Sequence, residues 1–491
     1  MTSGRAVLMG GDGMDDLAGW SEKAHKFDGI TMALAEFLVG IEPGDLSTTI
    51  VDTLEKAFVD AIGCGVYGFA TPWCERVRRF CLEQGGPSQA GLWASGTKVS
   101  AVNTVLATGT AIHSFDFDDH SRAKIHPGAV VVPTLLALGE QFDLSGQDLL
   151  VAMAAGYETM NRVSLAANPG RTKSRGWHLT GTAGTFASAA AAAKLLGLNA
   201  AQTASALGLA GTQSSGLWAF TADGSMSKRL HAGRAAQAGL VSALMARAGF
   251  KGPTKIFEAK DGSFLFAMSD SPRPDRLVQR LGQDWYSDQT CFKPYACCGS
   301  NHACVDAALA FTREPEFHLS QVKRIVAGIA EVVNGQTGFV YLADSVLNAQ
   351  MSLRYNIAVA LIDAQASVEQ FSEHKIRQAD VVALAQRVEI EIDPEIDRNY
   401  PEIYGGQVTI EFIDGTKQTR RVDYSLGMPE NPVSLESVSN KFRSLVNAVS
   451  VDISGEELLG SVLKPFERGS LCPLYAKLRD LKIKPLKVNE F

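Results

Sequence analysis

The chain has no excess of basic residues: 46 Lys and Arg stand against 53 Asp and Glu, a formal net charge of −7. A nucleic-acid binder needs a basic stripe, so that class is excluded, whereas a local basic pocket for an acidic metabolite is not. No uninterrupted apolar run reaches the ~18 residues of a membrane span, and none is expected to enter a bilayer. Residues 1–27 are Gly- and Asp-rich without an apolar core. They read as a disordered tail rather than a secretory signal. Aromatics make up 8% of the chain and do not cluster near its acidic motif, which argues against a cavity built to stabilise carbocations. Eight cysteines contain no Cys-x-x-Cys pair. They need no disulfide framework, and a cytoplasmic, reducing setting follows. The group from Cys291 to Cys304 reads as buried thiols rather than a metal site.

What is present is mostly helix. Val51, Leu54, Phe58, Ile62 and Val66 recur at three- to four-residue steps, which places them on one helix face. The run Gly63-Cys64-Gly65-Val66-Tyr67-Gly68 formally matches a dinucleotide fingerprint, but it ends a helical pattern instead of joining a strand to a helix. Close helix packing is the better account. Residues 182–198, dominated by Ala and Gly, predict a central helix that its neighbours approach closely. After Pro294 the texture changes. Residues 322–333 and 388–392 are β-branched, and 407–423 reads as a hairpin turning at Asp414-Gly415. A helix is expected over 352–364 between them, and helical periodicity returns after Asn431, with Ser434 as N-cap. The expected fold is therefore mainly α: a large helical domain, 28–287 and 427–491, interrupted by a smaller α+β domain at 288–426.

Chemistry concentrates in His113-Ser-Phe-Asp116-Phe-Asp118-Asp119-His120, followed by His126-Pro127. Three carboxylates and three imidazoles fall within these residues, in a chain holding nine histidines. Imidazoles beside carboxylates suit proton transfer near neutral pH. Asp116 is placed to orient a histidine, while Asp118 or Asp119 is expected to brace a helix end. The Asp-x-Asp-Asp pattern also occurs in protonating terpene cyclases, but the aromatics that such an enzyme needs are missing here. A hard-cation site is a further alternative, though no second acidic cluster completes a shell. His178, at the start of the small-residue helix, faces the positive end of a helix dipole, which favours a neutral imidazole. Lys228, His231 and Arg234 stand at three-residue steps along one helix side and read as a carboxylate clamp. Lys293, in Phe292-Lys293-Pro294-Tyr295, opens the second domain where a cleft forms. Tyr355 is expected to approach from the inserted helix.

These segments together resemble the MmgE/PrpD family, which includes 2-methylcitrate dehydratases, cis-aconitate decarboxylases and an iminodisuccinate epimerase. The matching stretches are HSFDFDDHSRAKIHPGAVVVPTLLA, GWHLTGTAGTFASAAAAAKLLGL, SKRLHAGRAAQAGLVSALMARAGF, FKPYACCGSNHACVDAAL and the late YGGQVTIEFIDGT with LGMPENPVS. The resemblance implies a helical domain interrupted by a lid, an active site in the cleft, a homodimer, and chemistry without a cofactor or metal. Carried over residue by residue, it puts the pocket on Asp116, His126, His178, Lys228 and Lys293. His120 stands where decarboxylase-like members often carry threonine. Asp118-Asp119-His120 and His126-Pro127-Gly128 depart from the dehydratase pattern.

The combined expectation is a lyase acting on a small di- or tricarboxylic acid. His126 is the acid–base group, with Asp116 tuning it and His120 as a second proton carrier. His178, Lys228, Lys293, Arg234, Tyr295 and Tyr355 bind substrate. An epimerase of the same family and a non-catalytic carboxylate-binding protein are the alternatives.

Overall fold

The computed structural model describes residues 27–486 apart from 223, 401 and 464–470. The tail expected over 1–27 lies, but for Phe27, outside the described residues. The fold is mainly α, with a two-stranded and a four-stranded sheet.

The helices start where side chains can satisfy free backbone N–H groups. Ser47 caps Thr48–Phe69, Ser100 caps Ala101–Ile112, and Ser145 with Asp148 forms a capping box on Gly146–Ala167. At the centre lies Leu179–Leu195, buried from Leu179 to Ala193. It packs on Gly146–Ala167 and on Ser227–Arg247, and the latter also crosses Ala101–Ile112. Small residues set these distances. A Cβ on Gly239 would lie 2.4 Å from the Thr185 carbonyl oxygen, and one on Gly233 would lie 2.3 Å from that of Leu106. The glycine run 63–68 lies inside Thr48–Phe69. A Cβ on Gly68 would meet the Ala111 oxygen at 1.9 Å, so these glycines serve helix packing rather than a phosphate.

The larger sheet runs in the order Val388–Ile392, Val322–Ile329, Gly406–Phe412, Lys417–Val422; the first pair is parallel and the others antiparallel. Gly415 takes the positive φ of 87° that the hairpin turn requires. The β-branched run 322–333 stays extended only to Ile329. Glu331–Thr337 is helical, and the Glu331 N–H donates to Asp397 at 2.9 Å. Ser352 caps Leu353–Asp363, and Ser434 caps Leu435–Val449. That last helix packs on Thr48–Phe69, with Phe442 seated over Gly63. Among the described residues, no helix is long and apolar enough to cross a membrane.

Candidate active site

The His- and Asp-rich motif is the loop joining two buried helices, Ala101–Ile112 and Gly128–Phe142. Its path is set by hydrogen bonds at intervals. Ser114 donates to the Thr110 carbonyl at 2.8 Å, and Ser121 donates to Asn161 at 2.7 Å. His120 and Cys291 exchange backbone hydrogen bonds at 2.9 and 2.7 Å. This ties the loop to the segment that carries Lys293. Gln350 bridges the same two segments, donating to the carbonyls of Phe115 and Ala296 at 2.7 and 2.9 Å.

Each aspartate has a separate task. Asp116 takes a φ of +52°, a region that costs a non-glycine residue energy and often marks a functional position. Its Oδ1 lies 2.8 Å from Lys228 Nζ and 3.0 Å from Lys293 Nζ. Lys293 also donates to the Asp116 carbonyl at 2.8 Å, which stabilises the unusual backbone. Burial alone would raise the Asp116 carboxyl, but the two ammonium groups overrule it and hold it well below the usual carboxylate range. Lys293 shows the converse. Its burial opposes the charge, yet Asp116 and Asp118 raise its pKa. Asp119 is the brace: it accepts from the Gly128 N–H at 3.0 Å, the first residue of its helix, and from Tyr157 at 2.8 Å.

Asp118 does what the sequence suggested for Asp116. Its Oδ2 lies 2.9 Å from His113 Nδ1 and 3.2 Å from His126 Nδ1. Asp116 is 3.9 Å from His126 Nε2. A carboxylate at Nδ1 selects the tautomer with the proton there and leaves Nε2 to exchange protons with a ligand. His113 is fully buried and pushed down to about 4 by that burial, against the pull of Asp118. Potential metal ligands also converge at His113, Asp118 and His126, whose donor atoms lie within 4.8 Å of one another.

His178 is buried and precedes Leu179–Leu195. Burial, then the charges of neighbours such as His113 and Lys228, holds its pKa well below the imidazole range. Burial therefore favours the neutral imidazole, as does its place at the start of that helix. Its Nδ1 is 3.0 Å from His231 Nδ1, so one ring donates and the other accepts. Burial first, then Lys293, likewise keeps His120 neutral.

Asp116, His120, His126, His178, Lys228 and Lys293 all line one cavity of about 780 Å³. The other three expected ligands do not line it. Arg234 is exposed and bound to Gln237. Tyr295 donates to Asp306, and Tyr355 donates to the Gln370 carbonyl. Three residues on one helix side thus diverge: Lys228 reaches Asp116, His231 reaches His178, and Arg234 turns outward. Trp218 and Phe220, which the sequence reading missed, wall the cavity and stand edge-on to His178 at 5.4 and 5.5 Å between ring centroids. Their Trp-x-Phe spacing, beside a histidine-bearing helix start, was the available signal. Lys441 was also missed. It pairs with buried Asp60 at 2.7 Å and donates to the carbonyls of Phe117 and Lys293.

Residues 32–276 match the MmgE/PrpD N-terminal domain, and residues 295–458 match the MmgE/PrpD C-terminal domain. The chain belongs to the MmgE/PrpD family. The match to the C-terminal domain of this family runs past the sheet into the returning helices. Among MmgE/PrpD proteins, the chain is 29% identical over 475 residues to a cis-aconitate decarboxylase of Aspergillus terreus, covering 92% of this chain and 96% of that protein. It is 27% identical over 462 residues to the cis-aconitate decarboxylase of Mus musculus, at 91% and 93% coverage. The Homo sapiens protein of that name is 28% identical over 431 residues, at 84% and 87% coverage.

Proposed function

We propose that the protein is a lyase that needs no cofactor and removes a carboxylate from a small unsaturated di- or tricarboxylic acid of the cis-aconitate type. The observation that carries this reading is the convergence of Lys228 and Lys293 on Asp116 beside His126. The names of the relatives support it. Each lysine has donors left for substrate carboxylates, and neutral His178 adds a hydrogen bond without a charge. The carbon–carboxylate bond breaks, CO₂ leaves, and its electron pair passes into the adjacent unsaturated carboxylate as an enediolate-like anion. Lys228 and Lys293 stabilise that charge, and the His126 imidazolium, oriented by Asp118, delivers the proton to carbon. Preorganised donors of this kind typically supply ~3–4 kcal/mol each.

Residues 288–426 act in this scheme as a lid that brings Lys293 to the cavity, in a cytoplasmic homodimer. Light scattering of the purified protein tests the assembly.

One observation favours a second reading. His120 and His126 both line the cavity, with ring centroids 6.2 Å apart. Two imidazoles can serve two faces of a carbon, as epimerisation requires.

Proton NMR in D₂O with cis-aconitate, citrate, 2-methylcitrate, iminodisuccinate and tartrate decides between them. Loss of CO₂ with a new vinyl signal is the expected result. Exchange of one proton with the skeleton intact would make the protein an epimerase. No reaction and no exchange across the panel would overturn both readings.

A further inference from the structure

Lys124 and Lys173 also line the cavity, both half-buried. Their surroundings differ from those of the inner lysines. Lys228 and Lys293 share the carboxylate of Asp116, and the charge of Asp118 also acts on Lys293. Arg122, a further lining cation, is engaged by Glu430 through two contacts of 2.7 and 2.6 Å. Lys124 and Lys173 make no ion pair with a carboxylate among the described residues; exposed Asp344, which also lines the cavity, pairs with neither. Their contacts are aromatic. Lys173 Nζ lies 5.1 Å from the Trp218 ring centroid, and Lys124 Nζ is 3.5 Å from Tyr400 Oη.

Both ammonium groups face the same cavity. Burial, then the charge of Lys124, holds Lys173 below the usual lysine range. Lys124 takes a φ of +60° in a tight turn closed by Ser121 and Ile125, a second left-handed non-glycine residue in the same loop as Asp116. Two like charges facing one cavity without a counter-ion raise its potential and attract an anion. A carboxylate between them would relieve their repulsion with charge-assisted hydrogen bonds.

We propose that Lys124 and Lys173 form a distal anion subsite that takes a substrate carboxylate remote from the reacting carbon. The inner cations hold the carboxylates next to that carbon, and the outer pair selects for acids with a further one. The proposal rests on the reading of the cavity as a polycarboxylate site.

Isothermal titration calorimetry with tricarballylate, a saturated tricarboxylate, and with glutarate tests it independently of turnover. The proteins are the wild type, Lys124→Met/Lys173→Met and Lys124→Gln/Lys173→Gln, with melting temperatures recorded for each. We expect tricarballylate affinity to fall at least tenfold in the folded double variants while glutarate affinity changes less than threefold. Retained tricarballylate affinity, equal loss for both acids, or no tricarballylate binding by the wild type would overturn the subsite. Turnover of cis-aconitate is measured alongside. Lysine-dependent binding without turnover would leave the subsite standing and remove the lyase reading. Turnover with an unchanged KM in the double variants would do the reverse.

Discussion

Lys293 Nζ holds Asp116 at two points, its carboxylate at 3.0 Å and its own backbone carbonyl at 2.8 Å, across 177 residues of chain. One side chain thereby neutralises a buried carboxylate and stabilises the backbone twist that aims it. Lys293→Met leaves Asp116 paired with Lys228, so no buried charge is orphaned. The protein should fold, and kcat should fall by ~10²–10³-fold, the usual effect of losing one preorganised donor. Steady-state kinetics with a melting curve checks this, and a loss below tenfold would remove Lys293 from charge stabilisation.

Asp118→Asn tests which aspartate orients His126, the proposed acid–base group. The carboxylate bonds His113 and lies 3.2 Å from His126 Nδ1; a neutral amide removes the negative charge both imidazoles face, so His126 loses the anion beside it. Turnover should drop by ~10²–10⁴-fold, the range for general acid–base catalysis, with far-UV circular dichroism unchanged. Activity within threefold of the wild type would return the orienting role to Asp116.

Stability should fall as the solution is acidified. Burial pushes His113 down to about 4 and His302 down to about 3. Below the ordinary imidazole pKa of ~6.5 the unfolded chain binds protons that these folded sites refuse, so stability rises with pH across that window and is lost as pH falls through it. The depressed carboxylates Asp116 and Asp118 add a loss below their ordinary range. His302 lies off the main cavity, so His302→Gln should flatten the melting temperature between about pH 6.5 and 4 without changing KM. An unaltered slope would show that His302 does not contribute.

Tyr355→Phe separates packing from substrate binding. The hydroxyl donates to the Gln370 carbonyl and stands away from the cavity. Its loss should cost ~1 kcal/mol of stability and leave KM unchanged. A KM rise above fivefold would restore Tyr355 to the binding site.

Gly68→Ala should strike the fold beneath the site. The added methyl would meet the Ala111 oxygen at 1.9 Å, and Ala111 lies in the helix that leads into the His- and Asp-rich loop. The two helices must separate, at a cost of ~1–3 kcal/mol or more. Chemical denaturation would show it, and wild-type stability would contradict the packing.

The sequence by itself determined the helical bulk of the protein. Its small-residue stretches allow close helix crossings, and periodicity marks the buried faces. The hairpin at Asp414-Gly415 and the caps Ser352 and Ser434 were legible because local chemistry dictates them. So was the membership of Asp116, His126, His178, Lys228 and Lys293 in one pocket, through the ordered segments that resemble the family, and His120 through its place in the same His- and Asp-rich run. Tertiary structure decided the division of labour. Which of three neighbouring aspartates meets lysines, which meets histidines and which braces a helix depends on a loop held in place by Cys291, Gln350 and Lys293, none close to it in sequence. Arg234 and Tyr355 carry suitable chemistry at suitable spacing, yet face elsewhere. Residue type and periodicity specify what a side chain can do and which helix face it occupies. What it meets is set by how distant helices pack, and no local pattern encodes that distance.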